Sequence, residues 1–181
     1  MSKILELEGW SQPIPNPFPK AQTNDTPDPE WAQRTHHIWW ATHYQGELTK
    51  HQKEMLKLRD ILLGLGGAQT VFHHQECDLH LLLEHGQIWT PERSRLMRGS
   101  PSECHRNSCA LWEQNKNATR IATGYALSED GFWRQHSWCL QPIKGNSPKV
   151  RVLETTTPRV LYYGIVFNPK GCEKFVDNNE F

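Results

Sequence analysis

The sequence predicts an α+β fold, because signals of helix and signals of strand occupy different parts of the chain. Helical spacing of apolar residues, with capping residues and terminal glycines, recurs from position 30 to about position 114. From position 120 onward, stretches of strand character alternate with turn signals, which is typical of an antiparallel sheet. The chain has 181 residues, close to the length of one domain, so we expect a single domain over 30–181.

An extended arm is predicted ahead of this domain, over residues 1–29. Residues 11–29 contain six of the twelve prolines, and four of these alternate with other residues from Pro13 to Pro19. Proline fixes φ and has no backbone N–H, so this segment is excluded from helix interiors and from central strands. We therefore expect extended or polyproline geometry for the arm.

The first part of the domain, residues 30–98, is predicted to be helical. Each expected helix is marked by a capping residue, by a proline at its start or by a glycine at its end. The helices are expected from Pro29 to Gly46, from the capping box of Thr49 and Gln52 to Gly64, over Glu76–His85, and over a short stretch from Thr90.

The second part, residues 99–181, is predicted to begin with a helix and to continue as a sheet. The run Ser100–Glu103 has the pattern of a capping box with proline at the first helical position, which predicts a helix to about Gln114. Four strands follow, and the helix is expected to pack on the antiparallel sheet that they form. Their predicted bounds are Arg120–Leu127, Phe132–Gln141, Lys149–Thr155 and Val160–Phe167.

The composition argues against several classes of protein. Lys and Arg together number 20, as do Asp and Glu, so the basic excess typical of proteins that bind nucleic acid or anionic membranes is absent. No apolar stretch is long enough to span a bilayer, and the first ten residues predict no signal peptide. The five cysteines form no C-x-x-C pair, which argues against a disulfide scaffold and predicts a reducing, cytoplasmic setting.

Cys104 is the first candidate for chemistry. The predicted capping box puts it in the first turn of its helix, where the positive end of the helix dipole favours a thiolate over a thiol. The surrounding sequence also favours the thiolate, because basic residues outnumber acidic ones there. The basic residues are Arg93, Arg95, Arg98, His105 and Arg106. The alternative is a buried structural cysteine.

His136 and Glu154 are the second and third candidates. His136 lies in the second predicted strand on a mainly apolar face with Trp138, so it is either a buried core histidine or a general base in a dry site. Glu154 ends the third predicted strand on the same face as Val152. It either reaches solvent or pairs with a histidine on the adjacent strand, because an unpaired buried carboxylate is costly.

A cysteine at a helix start, a histidine in a strand and an acid on the next strand follow the chain order of the papain-like and transglutaminase-like superfamily. The chain also resembles small bacterial and phage-type proteins that look like compact papain-like cysteine hydrolases, with the pattern C-x-x-N, G-Y-A, H-A-W, D-x-T and Y-F-G. N-terminal glutamine amidohydrolases are similar in layout. The matching stretches are Cys104–Asn107, Gly124–Ala126, His136–Trp138, Glu154–Thr156 and Tyr162–Gly164.

This resemblance covers under half of the chain and departs from the pattern in two places. Ser137 stands where Ala is usual, and Glu154 stands where Asp is usual. The resemblance implies a papain-like fold with a triad of Cys104, His136 and Glu154, and with Asn107 in support. The amide of Asn107 is expected to fix the loop before Cys104, to brace an oxyanion or to bond the neighbouring backbone, and Ser102 has the same options.

The expected activity is cysteine-dependent hydrolysis of an amide in a peptide or protein substrate, which is a peptide bond, an isopeptide bond or a glutamine amide. The chemistry requires no metal or cofactor, since the cysteine supplies the nucleophile and the histidine moves the proton. Two alternatives remain open from the sequence. One is acyl transfer to an amine, and the other is a non-catalytic binding module with the same fold.

A second cluster, on the predicted helix Glu76–His85 and just before it, has residue types that bind zinc. His73, Cys77 and His80 are spaced i, i+4 and i+7, so they would share one face of a helix. The sequence offers no obvious fourth ligand, and the spacing fits no named zinc motif. We therefore favour the cysteine hydrolase over a metal site.

Overall fold

The computed structural model describes residues 47–72, 76–143 and 149–179, and these residues form an α+β fold, as predicted. The predicted arm over 1–29 and the predicted helix from Pro29 to Gly46 lie outside the described residues, as does His73. Within the described part of the chain, none of the helices combines the length and the apolar character that a membrane crossing requires.

Helices and short strands come first along the chain, and four longer strands follow a central helix. The described helices are α1 (Lys50–Leu65), α2 (Leu79–His85), α3 (Cys104–Gln114) and α4 (Pro169–Asn179). The strands are β1 (Gln69–Val71), β2 (Gln87–Trp89), β3 (Arg95–Leu96), β4 (Arg120–Leu127), β5 (Phe132–Pro142), β6 (Val150–Glu154) and β7 (Leu161–Val166), and a 3₁₀ turn spans Pro91–Arg93.

The sheet is mixed, so the prediction of an antiparallel sheet is wrong in part. Its strand order is β2-β7-β4-β5-β6-β3, and β1 pairs with β5 beside this path. The pairs among β4, β5, β6 and β7 are antiparallel, whereas β1 runs parallel to β5 and β3 runs parallel to β6. The two parallel strands have three and two residues, too few for a periodic pattern that the sequence could reveal.

One edge of β5 is shared between two neighbours that do not meet. β1 pairs with β5 as far as Arg134, and β6 pairs with β5 from Cys139 onward. Between these two partners, β5 is bonded by the described strands only on its β4 side. The backbone of Gln135–Trp138 therefore faces a gap in the sheet, and the start of α3 lies beside this gap.

The main core lies between the sheet and the helices. The strand residues of this core share one face of the sheet. Tyr125 of β4 pairs directly with Tyr163 of β7, and Leu127, two residues further along β4, pairs with Trp133 of β5. All four described helices contribute to this core, so they cover the same face of the sheet. Trp112 anchors α3 there and is 2% exposed.

A second buried cluster lies on the other face of the sheet. It is built around Trp89, Trp138 and Tyr162, with Ala122 and Ala126 as the small residues of β4 beneath the rings. The Trp138 and Tyr162 rings have centroids 5.0 Å apart, and Trp89 meets Trp138 edge-on at 5.6 Å. These rings form the wall against which His136 is held.

The helix predictions differ from the structure mainly at helix ends. The capping box of Thr49 and Gln52 is confirmed, since each side chain accepts the other residue's backbone N–H, but α1 continues to Leu65 and is capped by Gly66. Helix α2 begins later than predicted because residues 76–78 form a turn, in which the Glu76 carboxylate accepts the backbone N–H of Asp78.

Helix α4 was not predicted, although its start carries a readable signal. Pro169 occupies the first helical position, and the Asn168 side chain accepts the backbone N–H of Gly171 at 2.7 Å. The helix packs against α3, and its Phe175 lies beside His105 of α3. It therefore supports the helix that carries Cys104.

Candidate active site

Cys104 is the first residue of α3, and the predicted capping box in front of it is wrong. Ser102 has φ of 62°, a left-handed conformation that cannot belong to a right-handed helix, so the helix starts only after it. Glu103 occupies the N-cap position and makes no side-chain capping bond. The cysteine nevertheless lies where the unbonded N–H groups of a helix start are exposed.

Asn107 fixes the loop in front of Cys104. Its side-chain carbonyl accepts the backbone N–H of Ser100 at 3.1 Å, and its amide donates to the carbonyl of Ser100 at 2.8 Å. Gly99 is required by this arrangement, because a Cβ atom there would lie 2.4 Å from Cγ of Asn107. Asn107 thus holds the loop through the backbone of Ser100, which agrees with two of its three expected options, fixing the loop and bonding the neighbouring backbone.

His136 and Glu154 form a buried pair on neighbouring strands. Nε2 of His136 lies 2.9 Å from one carboxylate oxygen of Glu154 and 3.1 Å from the other. The histidine is 2% exposed and the glutamate 1% exposed. The pairing expected for the two residues is therefore present, and the alternative in which Glu154 reaches solvent is not.

The Glu154 carboxylate is saturated with further donors. Thr156 donates its backbone N–H at 2.8 Å and its hydroxyl at 3.0 Å to one oxygen, and the Tyr162 hydroxyl donates to the other at 2.9 Å. Burial raises the pKa of the carboxyl group, but the bonds and charge of His136, with those from Thr156 and Tyr162, outweigh it and lower the pKa to about 2. The carboxylate is therefore ionised and its orientation is fixed.

Cys104 and His136 interact across the gap beside β5, and each shifts the pKa of the other toward its charged form. Because Nε2 of His136 is bound to Glu154, Nδ1 is the ring nitrogen left for the sulfur. The backbone N–H groups of Ser137 and His105 also lower the pKa of Cys104. Ser137 lies in the stretch of β5 that pairs with neither β1 nor β6, so its backbone can face the sulfur there.

These contacts shift both groups toward their charged forms, thiolate and imidazolium. Burial raises the pKa of Cys104, but the bond to His136, its charge and the two backbone donors reverse this and lower the pKa below its ordinary value. Burial lowers the pKa of His136, and the bonds and charges of Cys104 and Glu154 reverse that and raise it. The two shifts act together, since each ion stabilises the other.

Two glycines allow the strands to close around His136. Gly124 pairs with both His136 and Gly164 in the sheet. A Cβ atom at Gly124 would lie 2.3 Å from the Tyr163 carbonyl oxygen, and one at Gly164 would lie 2.3 Å from the Thr123 carbonyl oxygen. Both glycines belong to the short motifs of the sequence, so close backbone approach explains why those positions hold glycine.

A chain of polar groups links α3 to the backbone of His136. The Ser137 hydroxyl donates to the hydroxyl of Thr123 at 2.9 Å, so Nδ1 of His105, 2.6 Å away, donates its proton to Ser137. The Thr123 hydroxyl in turn reaches the carbonyl oxygen of His136 at 3.5 Å. The serine that departs from the usual alanine thus fastens the helix to the strand.

A cleft of about 640 Å³ opens onto these groups. Cys104, His136 and Ser102 are part of its lining, and so are Thr156 and three arginines. A ligand in the cleft would therefore lie beside the half-buried Cys104 and the edge of the largely buried His136, whereas Glu154 lies behind the histidine and takes no part in the lining.

Thr156 and Tyr162 are the site residues that the sequence left without a role. Both lie in stretches quoted for the resemblance, Glu154–Thr156 and Tyr162–Gly164, so their motifs were visible although their contacts were not. The contact between Tyr162 and Glu154 depends on the path of β7 through the sheet, which motif spacing does not give.

The alternative zinc cluster does not form the predicted helix face. Cys77 precedes α2, which begins at Leu79, so it is not on a helix with His80. Nε2 of His80 lies 3.1 Å from the carboxylate of Glu84 instead. Within the residues that the structure describes, no group of three His, Cys, Asp or Glu side chains is arranged to hold a metal ion.

Comparison of the chain with protein-family models, with curated proteins and with solved structures found no match.

Proposed function

We propose that this protein is a cysteine-dependent amide hydrolase with a papain-like arrangement of a nucleophile helix on a sheet. The observation that carries the proposal is the series of interacting groups from Cys104 through His136 to Glu154, in which the first two residues line a cleft and the third is buried behind them. A nucleophile, a base and an acid that orients the base are the three parts that thiol catalysis of acyl transfer needs.

In the first step the Cys104 thiolate attacks the carbonyl carbon of the amide, and the carbonyl oxygen becomes an oxyanion. The backbone N–H of Cys104 is one donor for this oxyanion, because it lies at the start of α3 where helical N–H groups have no partner within the helix. The His136 imidazolium then gives its proton to the leaving amine as the C–N bond breaks, which leaves a thioester on Cys104.

In the second step water attacks the thioester while neutral His136 accepts its proton. The C–S bond breaks, the carboxylic acid leaves, and the thiolate and imidazolium are restored. Glu154 stays ionised throughout, since its pKa is about 2, and it keeps Nε2 protonated and Nδ1 turned toward the sulfur. A primary amine in place of water would give acyl transfer, so a product that requires added amine would identify a transferase.

The test is alkylation of the cysteines by iodoacetamide, mapped by mass spectrometry across a range of pH. Cys104 should react faster than the exposed Cys77 at about pH 6, because its thiolate persists below the pH at which an ordinary thiol is ionised. Cys77 lies outside the cleft and is the internal control in the same sample. Equal rates for the two cysteines at that pH would contradict the proposal.

A further inference from the structure

The cleft in front of Cys104 is lined by cations without a matching acid. Arg98 comes from the loop before α3, Arg134 lies on β5 two residues before His136, and Arg159 follows β6. No Asp or Glu of the described residues is part of the lining. Each arginine thus belongs to a segment that also supplies one member of the Cys104, His136 and Glu154 series.

The three arginines differ in how far their charge is already balanced. Arg134 donates to both oxygens of Asp130, at 2.8 and 2.5 Å, so its position is fixed and its charge is partly neutralised. Arg159 donates to the Ser128 hydroxyl, and its Nε is buried without a hydrogen-bond partner among the described residues. Arg98 is exposed, and no ion pair joins it to a described carboxylate.

The internal charges of the site cancel only part of this positive charge. The Cys104 thiolate, the His136 imidazolium and the Glu154 carboxylate together carry one net negative charge, and Glu154 is buried behind the cleft. Asp130 lies near both Arg134 and Arg159, since both lower its pKa, so one acid serves two guanidinium groups. The arginines therefore leave a surplus of positive charge at the cleft.

We propose that the cleft selects amides that carry a carboxylate, as in a peptide with an Asp or Glu side chain beside the bond that is cut. This inference rests on the proposed function and adds the charge of its substrate. Guanidinium groups bind carboxylates through paired N–H donors; the exposed Arg98 has such donors to offer, and Arg159 lines the same cleft. A lysine side chain at the same place would be repelled.

The test compares iodoacetate with iodoacetamide as alkylating reagents for Cys104. The two reagents undergo the same reaction, in which the thiolate displaces iodide, and they differ chiefly in the negative charge of iodoacetate. The ratio of their rates at Cys104 measures the preference of the cleft for an anion, and the same ratio at the exposed Cys77 is the reference. The His136 imidazolium raises the ratio in every variant, so the arginines are tested by substitution.

Arg98→Gln and Arg159→Gln should each lower the ratio at Cys104 by about two- to fivefold at low salt, as expected for one charge at several ångströms in a partly aqueous cleft. Arg106→Gln is the matched control, because Arg106 lies on α3 close to Cys104, pairs with Glu103 and does not line the cleft. It should leave the ratio where it is.

Two results would overturn the inference, and they are distinguishable. Rapid iodoacetamide labelling of Cys104 at about pH 6, with a ratio unmoved by both arginine substitutions, contradicts the acidic substrate and leaves the proposed hydrolase standing. Slow labelling of Cys104 by both reagents at that pH contradicts the hydrolase and the inference with it.

Discussion

Cys104 and the His136–Glu154 pair are held in the site by different kinds of structure. Cys104 follows a short loop that contains a left-handed serine and is fastened by the Asn107 side chain. The pair is buried on two adjacent strands, and Thr156 and Tyr162 donate hydrogen bonds to the Glu154 carboxylate. We therefore expect substitutions on the sheet side to lower both the free energy of unfolding and the reactivity of Cys104. Substitution of Cys104 itself should leave the free energy of unfolding nearly unchanged.

The largest effect on stability and reactivity is expected from His136→Ala, because His136 is the partner of both the Cys104 thiolate and the Glu154 carboxylate. The buried Glu154 carboxylate loses its counter-charge, so the free energy of unfolding should fall by about 3–5 kcal/mol. The pKa of Cys104 should rise, because the bond and the charge that lower it are gone. Urea denaturation measures the first effect, and the pH profile of iodoacetamide labelling measures the second.

Cys104→Ser is the matched control on the loop side of the site. It keeps a polar group of similar size at a half-buried position, so the unfolding curve should stay within about 1 kcal/mol of the wild type. Equal losses of stability in His136→Ala and Cys104→Ser would remove the distinction between the two regions.

The next effect is a dependence of stability on pH that Glu154→Gln should remove. In the folded protein the pKa of Glu154 is about 2, against an ordinary value of 4.5. A carboxyl group with a lowered pKa contributes stability that is present above its unfolded pKa and is lost as the pH falls through its folded pKa. The wild type should therefore lose stability between about pH 5 and about pH 2 by more than the variant does.

Glu154→Gln should also slow the labelling of Cys104 at about pH 6. The imidazolium of His136 loses its counter-charge, so its pKa falls and the thiolate that it stabilises becomes less favourable. Chemical denaturation at a series of pH values and a labelling profile on the same samples test the two effects. A variant with the acid sensitivity and the profile of the wild type would show that Glu154 is not coupled to the cysteine.

A smaller effect is expected from Tyr162→Phe, for which the chain offers a close control. Loss of the hydroxyl bond to the Glu154 carboxylate should cost about 1.5–3 kcal/mol, since the acceptor is charged. Tyr163→Phe removes an equally buried hydroxyl that donates to the neutral carbonyl of Leu82, on the other face of the sheet, and should cost about 1 kcal/mol.

Only the first of these two variants should move the pH profile of Cys104 labelling, because only Tyr162 touches Glu154. Thermal melts and labelling profiles of both variants are the measurements. An equal change of the profile in Tyr163→Phe would mean that the profile reports general loosening of the sheet and not the charge series.

The smallest effect is expected from Ser137→Ala. The hydroxyl links His105 to Thr123, so its loss should cost about 1 kcal/mol, but the group of Ser137 that lowers the pKa of Cys104 is its backbone N–H, which the substitution keeps. Labelling of Cys104 should stay close to that of the wild type. Ser108→Ala, which removes a buried hydroxyl with no described hydrogen-bond partner, is the control for the thermal melt.

The sequence predicted the sheet side of the site better than the loop side. Stretches of strand character between turn signals predicted β4 to its exact bounds and β5 and β6 to within one residue at each end. The pairing of β5 with β6, which brings His136 near Glu154, joins two of these strands. The paired acid and base then follow from the cost of burying either residue alone.

The loop before Cys104 was predicted wrongly because its geometry depends on a contact seven residues away. The pattern Ser100–Glu103 looks like a capping box, but Ser100 is bound by Asn107 and the helix starts later. The strands β1, β2 and β3 are missing from the prediction because two or three residues carry no periodicity. The gap beside β5 that faces the sulfur lies between the end of its pairing with β1 and the start of its pairing with β6, so sequence patterns that missed β1 could not reveal it.

The measurement that tests the central claim most directly is the ultraviolet absorbance of the thiolate as a function of pH. The spectrum of Cys104→Ser, subtracted from that of the wild type, isolates Cys104 from the other four cysteines. A thiolate paired with an imidazolium should absorb well below the ordinary thiol pKa of about 8.5 and should lose this absorbance in His136→Ala. A difference spectrum that first rises near that ordinary pKa, alike in the wild-type and His136→Ala backgrounds, would contradict the coupling of Cys104, His136 and Glu154.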